Sequence, residues 1–220
     1  MESFITPNQF TMGLYRGSLV KTLKKYVYQF EEGNPEDSRL FGGKGASLIR
    51  MSKIGLPVPP GFVITTETCV DFYSKRREEI DKLEFELQKN PPPEVRDRII
   101  DQIWKIIDSL TLPQGLWEQV VENMKILEQK TGKKFGDPSN PLLVSVRSGA
   151  PISMPGMMDT VLNLGLNDEV VKGLAKLTDN EWFAYDAYRR FIQMFGRIVL
   201  GVDEKLFGKV FDELNEKYIN

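Results

Sequence analysis

The chain has 220 residues, 41% of them hydrophobic and 27% charged, with 29 basic side chains against 31 acidic ones. That balance describes a globular protein of one large or two small domains, and it gives no sign of a basic duplex-binding surface or a polybasic membrane contact. There is no histidine, which excludes Ser-His and Cys-His nucleophilic catalysis, His-based zinc sites and a phosphohistidine on this chain.

Residues 1–25 read as a poorly specified leader, with a short amphipathic piece from Leu14 to Tyr28. Glu2 comes early and Lys21, Lys24 and Lys25 late, the reverse of a secretory signal, and no run approaches the roughly 20 apolar residues of a membrane span. Tyr26 to Phe30 alternates as a strand does, and Glu31 to Arg39 is a polar loop. Leu40-Phe41 then leads into Gly42-Gly-Lys-Gly45. A helical pattern follows, with Ala46, Leu48, Ile49, Met51 and Ile54 on one side, and Gly55 and Pro57 end it. Val58 to Thr65 reads as a turn and then the short strand Phe62–Ile64.

Thr66 is expected to cap one helix running to about Lys89, with Ile80, Leu83 and Leu87 as its apolar stripe, until Pro91-Pro-Pro93 breaks the chain. Cys69, the only cysteine, allows no intrachain disulfide and points to a reducing, cytoplasmic setting. Two more amphipathic helices are expected at about 94–109 and 115–131, the first turning Ile99, Ile103, Ile106 and Ile107 inward. Residues 67–131 thus read as a helical excursion from a mixed core, its charges a solvated face.

Leu142 to Val146 is the best strand in the sequence and reads as buried; it runs into Arg147-Ser-Gly149 and a loop, Ser153 to Asp159, holding Met154, Met157 and Met158. Val161 to Leu166 fits a short strand or a turn. The rest is helical: Asn167 or Asp168 caps one helix and Asp179 or Asn180 the next. Trp182, Tyr185, Tyr188, Ile192 and Phe195 recur at helical spacing and are expected in the core, with Arg189-Arg190 a surface pair.

Three segments can carry chemistry. Around Gly42-Gly43-Lys44-Gly45, backbone N–H groups, a helix start and an ammonium together can make a phosphate site. A tight turn capping a helix explains the same residues. It is not a Walker A loop, because Ser38 stands at the first glycine position and Gly45 where Ser or Thr is required. Arg147 sits at a strand end, where its guanidinium fork either meets phosphate oxygens or pairs with a structural carboxylate. The methionine loop reads as a hinged flap over a ligand or as packing, with Asp159 or Thr160 able to reach a metal or phosphate.

Taken in order, Tyr28–Asn34, Gly42–Ala46, Gly55–Phe62, Pro141–Ala150, Ser153–Asp168 and Phe183–Met194 resemble the N-terminal nucleotide-binding domain of the pyruvate, phosphate dikinase family. The long methionine-loop match is the most specific. It separates the chain from phosphoenolpyruvate synthases, whose loop differs. The resemblance implies an α+β fold: a partial ATP-grasp domain over 26–220, helix-rich, with a small mixed sheet, helical insertions and a helical subdomain at 167–220. It implies that Lys44 and Arg147 act on ATP phosphates, and that Gly43, Gly45, Ser148, Ser153, Gly156, Met157, Asp159 and Thr160 complete the nucleotide site. Mg²⁺ would accompany ATP without a ligand from this chain.

The family reaction turns ATP, phosphate and pyruvate into AMP, pyrophosphate and phosphoenolpyruvate through a phosphohistidine on another domain. The histidine domain, the pyruvate domain and the acidic half of the grasp site have no counterpart before Asn220, so the chain is expected to be incomplete for catalysis. Residues 1–25 and much of 76–113 look like additions to the family pattern. The partners expected are ATP and the remainder of a dikinase or a second copy, with no nucleic acid or membrane. The competing readings are a non-catalytic or split-protein domain that binds a partner, and part of another dikinase of the superfamily.

Overall fold

The computed structural model describes residues 23–149 and 159–218. The expected leader lies mostly outside them; of the amphipathic piece only its end is seen, as extended chain entering strand β1 (Val27–Gln29). The chain then forms helix α1 (Ser38–Lys53) and returns as β2 (Phe62–Ile64), antiparallel to β1 with Tyr28 opposite Val63.

Helix α1 starts eight residues earlier than the apolar periodicity predicts. Asp37 accepts from the Leu40 N–H and caps a first turn, so Ser38 to Phe41 coil before the glycines. At Gly42 the backbone leaves the helix (φ 67°, ψ 165°) and the helix resumes after it. Only glycine adopts that conformation readily. The resumed helix lays Ala46 and Ile49 against Phe30 and Phe41, with Tyr28, Leu40, Leu48 and Val63 around them. Ile49 is fully buried, a contribution of about 1.5–3 kcal/mol from its side chain.

The expected long helix from Thr66 to Lys89 is two helices, α2 (Thr66–Tyr73) and α3 (Arg77–Gln88). Residues 74–76 separate them, and the Ser74 hydroxyl donates to the Asp71 carbonyl at 2.7 Å. The capping position is Thr65; the Thr66 hydroxyl instead ties α2 to α1 by donating to the Arg39 carbonyl at 2.6 Å. Helix α3 pairs with α4 (Pro93–Asp108), and Ile80 and Ile99 are buried as the stripes require.

Helix α5 (Leu116–Thr131) is no part of an excursion. Leu116 packs with Tyr26 and Val27, and the side-chain oxygen of Gln119 accepts from both their N–H groups, at 2.8 and 3.2 Å. The Gln29 amide donates to Asn123 at 2.7 Å, and Lys130 reaches Gln29 and Glu31. Side-chain amides of a helix thereby satisfy the open edge of β1, a role that helical periodicity does not reveal.

The second sheet is β3 (Val144–Arg147) antiparallel to β4 (Thr160–Leu164), with Arg147 opposite Thr160 and a register shift between Val144 and Val146. The small mixed sheet expected is therefore two separate antiparallel pairs, and α+β holds as the class. Nor is β3 buried as its composition predicts. Leu142, just before it, is buried, but Val146 is 50% exposed, since among the described residues β3 pairs only with β4.

Asn167 caps α6 (Asp168–Thr178), accepting from Glu169 and Val170, and Asn180 caps α7 (Glu181–Ile198), accepting from Phe183. These helices pack through Val171, Ala175 and Ala184, and α7 also lies along β4. The last helix, α8 (Glu204–Tyr218), meets α7 where Phe207 covers Gly196 and Phe211 lies under Arg189. The expectation that the aromatic stripe of α7 is core fails. Trp182 is 77% exposed, and Tyr185 and Ile192 are about half exposed, while Tyr188 and Phe195 are half-buried. The packed face of α7 is set by small residues, Ala184 and Gly196, which let neighbours approach.

Candidate functional site

Three pieces of chain distant in sequence meet at the end of the β3–β4 pair. The first is the kink of α1. Gly42 supplies the turn, and Gly43 and Lys44 open the resumed helix, where the Ser47 hydroxyl donates to the Gly43 carbonyl at 2.8 Å. Gly45 faces inward instead. It is buried, and a Cβ there would sit 3.0 Å from Val63 Cγ1 and 3.4 Å from Phe41 Cβ. Its lack of a side chain serves the packing of α1 on β2.

The second piece is the end of β3. The Lys44 ammonium donates to the Ser148 carbonyl at 3.3 Å, across 104 positions of sequence. This bond places Lys44 beside the residue that follows Arg147. Arg147 is exposed, and among the described residues no carboxylate lies within 4.0 Å of its guanidinium or of the Lys44 ammonium. A structural ion pair, the plain explanation for an arginine here, is not what the described residues show.

The third piece is the start of β4. The Ser148 hydroxyl donates to the Asp159 carbonyl at 3.0 Å and its N–H to the same oxygen at 3.4 Å. Arg147 and Thr160 face each other in register. Residues 148 and 159 therefore form the neck of a connection that holds most of the methionine loop. Ser153, Gly156 and Met157, the predicted nucleotide residues on that loop, lie outside the described residues.

Of the predicted set, the fold thus gathers Lys44, Arg147, Ser148, Asp159 and Thr160, with Gly43 beside them in sequence, and turns Gly45 into the core. Within the expected Gly42–Gly45 motif, Gly42 carries the non-helical backbone angles. One residue escapes the sequence reading. Arg197, in the last turn of α7, stands 3.7 Å from the Asp159 carboxylate and 3.8 Å from Glu204. No spacing rule connects it to the loop.

The result is an ammonium tied to the backbone at the mouth of a strand pair, with an exposed arginine on the adjoining residue. That arrangement can grip a polyphosphate, because neither charge has its demand met by a described carboxylate. It is poorly suited to a divalent metal on its own account. The Asp159 carboxylate faces Arg197, and no cluster of three or more cysteine or carboxylate ligands forms among the described residues. No helix described is long and apolar enough to cross a membrane.

Comparison with known proteins gives the family. Residues 38–196 match the family model described as pyruvate phosphate dikinase, AMP/ATP-binding domain. The chain is 50% identical over 186 residues to the pyruvate, phosphate dikinase of Entamoeba histolytica, covering 84% of this chain and 17% of the relative. It is 48% identical over 204 residues to that of Giardia intestinalis, covering 90% of this chain and 19% of the relative. Against the chloroplastic enzyme of Flaveria pringlei it is 43% identical over 199 residues, 89% of this chain and 17% of the relative. The chain therefore spans less than a fifth of the length of these relatives.

Proposed function

Because the chain belongs to the pyruvate phosphate dikinase family and matches its AMP/ATP-binding domain, we propose that it is the phosphate-gripping part of that domain's ATP site. The observation that supports this most is the approach of Lys44 to the neck beside Arg147, with no described carboxylate neutralising either. In this reading both cations meet the phosphate chain of ATP and offset charge that develops on a transferring phosphoryl group. Gly43, Ser148, Thr160 and the 153–157 stretch complete the site through backbone and hydroxyl groups; Gly45 contributes only the close packing of the helix that carries Lys44. Mg²⁺ arrives with the nucleotide, because the residues at the neck do not form a set of ligands for it.

The whole-enzyme reaction, from ATP, phosphate and pyruvate to AMP, pyrophosphate and phosphoenolpyruvate, belongs to this proposal as the context in which the site works. The ATP-grasp architecture does too: a second half of the grasp would face the neck and add acidic groups. With no histidine on the chain, the phosphohistidine must form elsewhere. A reducing cytoplasm suits the single exposed cysteine.

A second reading, that the chain works by docking onto the remainder of a dikinase, draws on the apolar faces left open on α7 and α8: Trp182, Ile192, Leu206 and Val210. The two readings are compatible, because a half-site needs its other half.

Calorimetry with Mg-ATP tests the site. Weak binding by the full chain is expected, reduced about 10- to 100-fold by Lys44→Ala or Arg147→Ala, the range for losing a charge-assisted hydrogen bond. Equal affinity in both variants and the parent would show that the phosphates sit elsewhere.

A further inference from the structure

The neck is held from two sides. Lys44 grips the Ser148 carbonyl on the β3 side. On the β4 side, the Arg197 guanidinium stands 3.7 Å from the Asp159 carboxylate. Arg197 is well placed to act as a fixed post. It lies in the last turn of α7, where a cation is favoured by the helix dipole. Its neighbour Gly196 is buried beneath Phe207, so the backbone at that point is clamped between α7 and α8. Glu204, at the start of α8, holds the other side of the guanidinium at 3.8 Å. The strand pair itself is short and irregular in register, and its β3 side is mostly exposed, so it has little stiffness of its own.

We propose that Arg197 is a positioning residue: through Asp159 it fixes the neck, and so holds Arg147 and Ser148 beside Lys44. A loose pair between half-exposed groups adds little to global stability. Its effect is local, at the neck that Asp159 closes. The functional consequence rests on the neck being the phosphate site, while the mechanical one does not.

Hydrogen exchange separates the two. In the full chain without nucleotide, Arg197→Ala should speed exchange about three- to tenfold in peptides covering 144–149 and 159–164. Exchange in 27–29 should not move, Arg197→Lys should restore most of the protection, and Arg77→Ala, which breaks an exposed pair on α3, should leave the neck unchanged. Unchanged protection of the neck in Arg197→Ala overturns the proposal. With Mg-ATP, Arg197→Ala should weaken binding about two- to fivefold at low salt and less at high salt. If Arg197→Ala weakens ATP binding without loosening the neck, Arg197 touches the nucleotide itself and the positioning role is wrong. If the neck loosens but Lys44→Ala and Arg147→Ala leave ATP binding intact, the positioning role stands and the phosphate reading fails.

Discussion

At the scale of single residues, the charge on Lys44 and the fork of Arg147 do different work. An ammonium is a compact point charge, whereas a guanidinium offers two parallel donors to one phosphate. Arg147→Lys should therefore recover only part of the affinity lost in Arg147→Ala, a difference that the same calorimetry resolves. A separate residue-scale prediction concerns acid. Hydrogen bonds from the Lys24 ammonium and the Tyr26 hydroxyl hold the Asp71 carboxyl below its ordinary value of 3.8. A carboxyl depressed in the folded state stabilises fully above the unfolded value and loses that contribution as pH falls through the folded one. Glu31 behaves alike, lowered by its hydrogen bond from Lys130. Thermal midpoints should thus fall on acidification below about pH 4, and Tyr26→Phe should flatten that part of the profile. An identical slope in the variant would mean that the bond to Asp71 does not link β1 to α2.

Among elements, α1 decides whether the site exists. Its kink at Gly42 sits in backbone space that other residues enter at a cost of about 1–3 kcal/mol. Gly42→Ala should lower the thermal midpoint by that order and should weaken Mg-ATP binding at temperatures where the chain remains folded. If the midpoint falls while affinity holds, the kink serves packing alone. The elements also show what periodicity can and cannot tell. Helices α4 and α5 fall within a residue or so of their expected bounds, because proline, glycine and an apolar stripe mark them locally. The break between α2 and α3 was illegible, since 74–76 carries neither glycine nor proline. The inward turn of Gly45 was illegible too: it depends on Val63 in another element.

For the whole molecule the telling feature is apolar surface left open. Helix α8 has no buried residue, and Leu206, Val210 and Leu214 stand about half exposed along one face. A monomer seldom leaves such a stripe uncovered. In light scattering the isolated chain should associate as concentration rises, and Leu206→Glu with Val210→Glu should suppress this without moving the thermal midpoint. A chain that stays monomeric at all concentrations would count against a docking face here. The exposed stripe of α7 carries the same lesson. Helical spacing of Trp182, Tyr185 and Ile192 announces a face that wants burial, but not whether the covering surface lies within this chain.

The sequence by itself determined the family, through the ordered match of its segments, and excluded histidine chemistry on this chain. It determined most helix boundaries as well, because caps and breakers act over three or four residues. The tertiary structure decided which of the candidates meet. It brought Lys44 to Ser148 over 104 positions, set Arg197 beside Asp159 and sent Gly45 into the core. Such pairings are made by packing between elements, and no local pattern encodes them. That sharpens the pair of cations from two separate signals into one neck held from both sides.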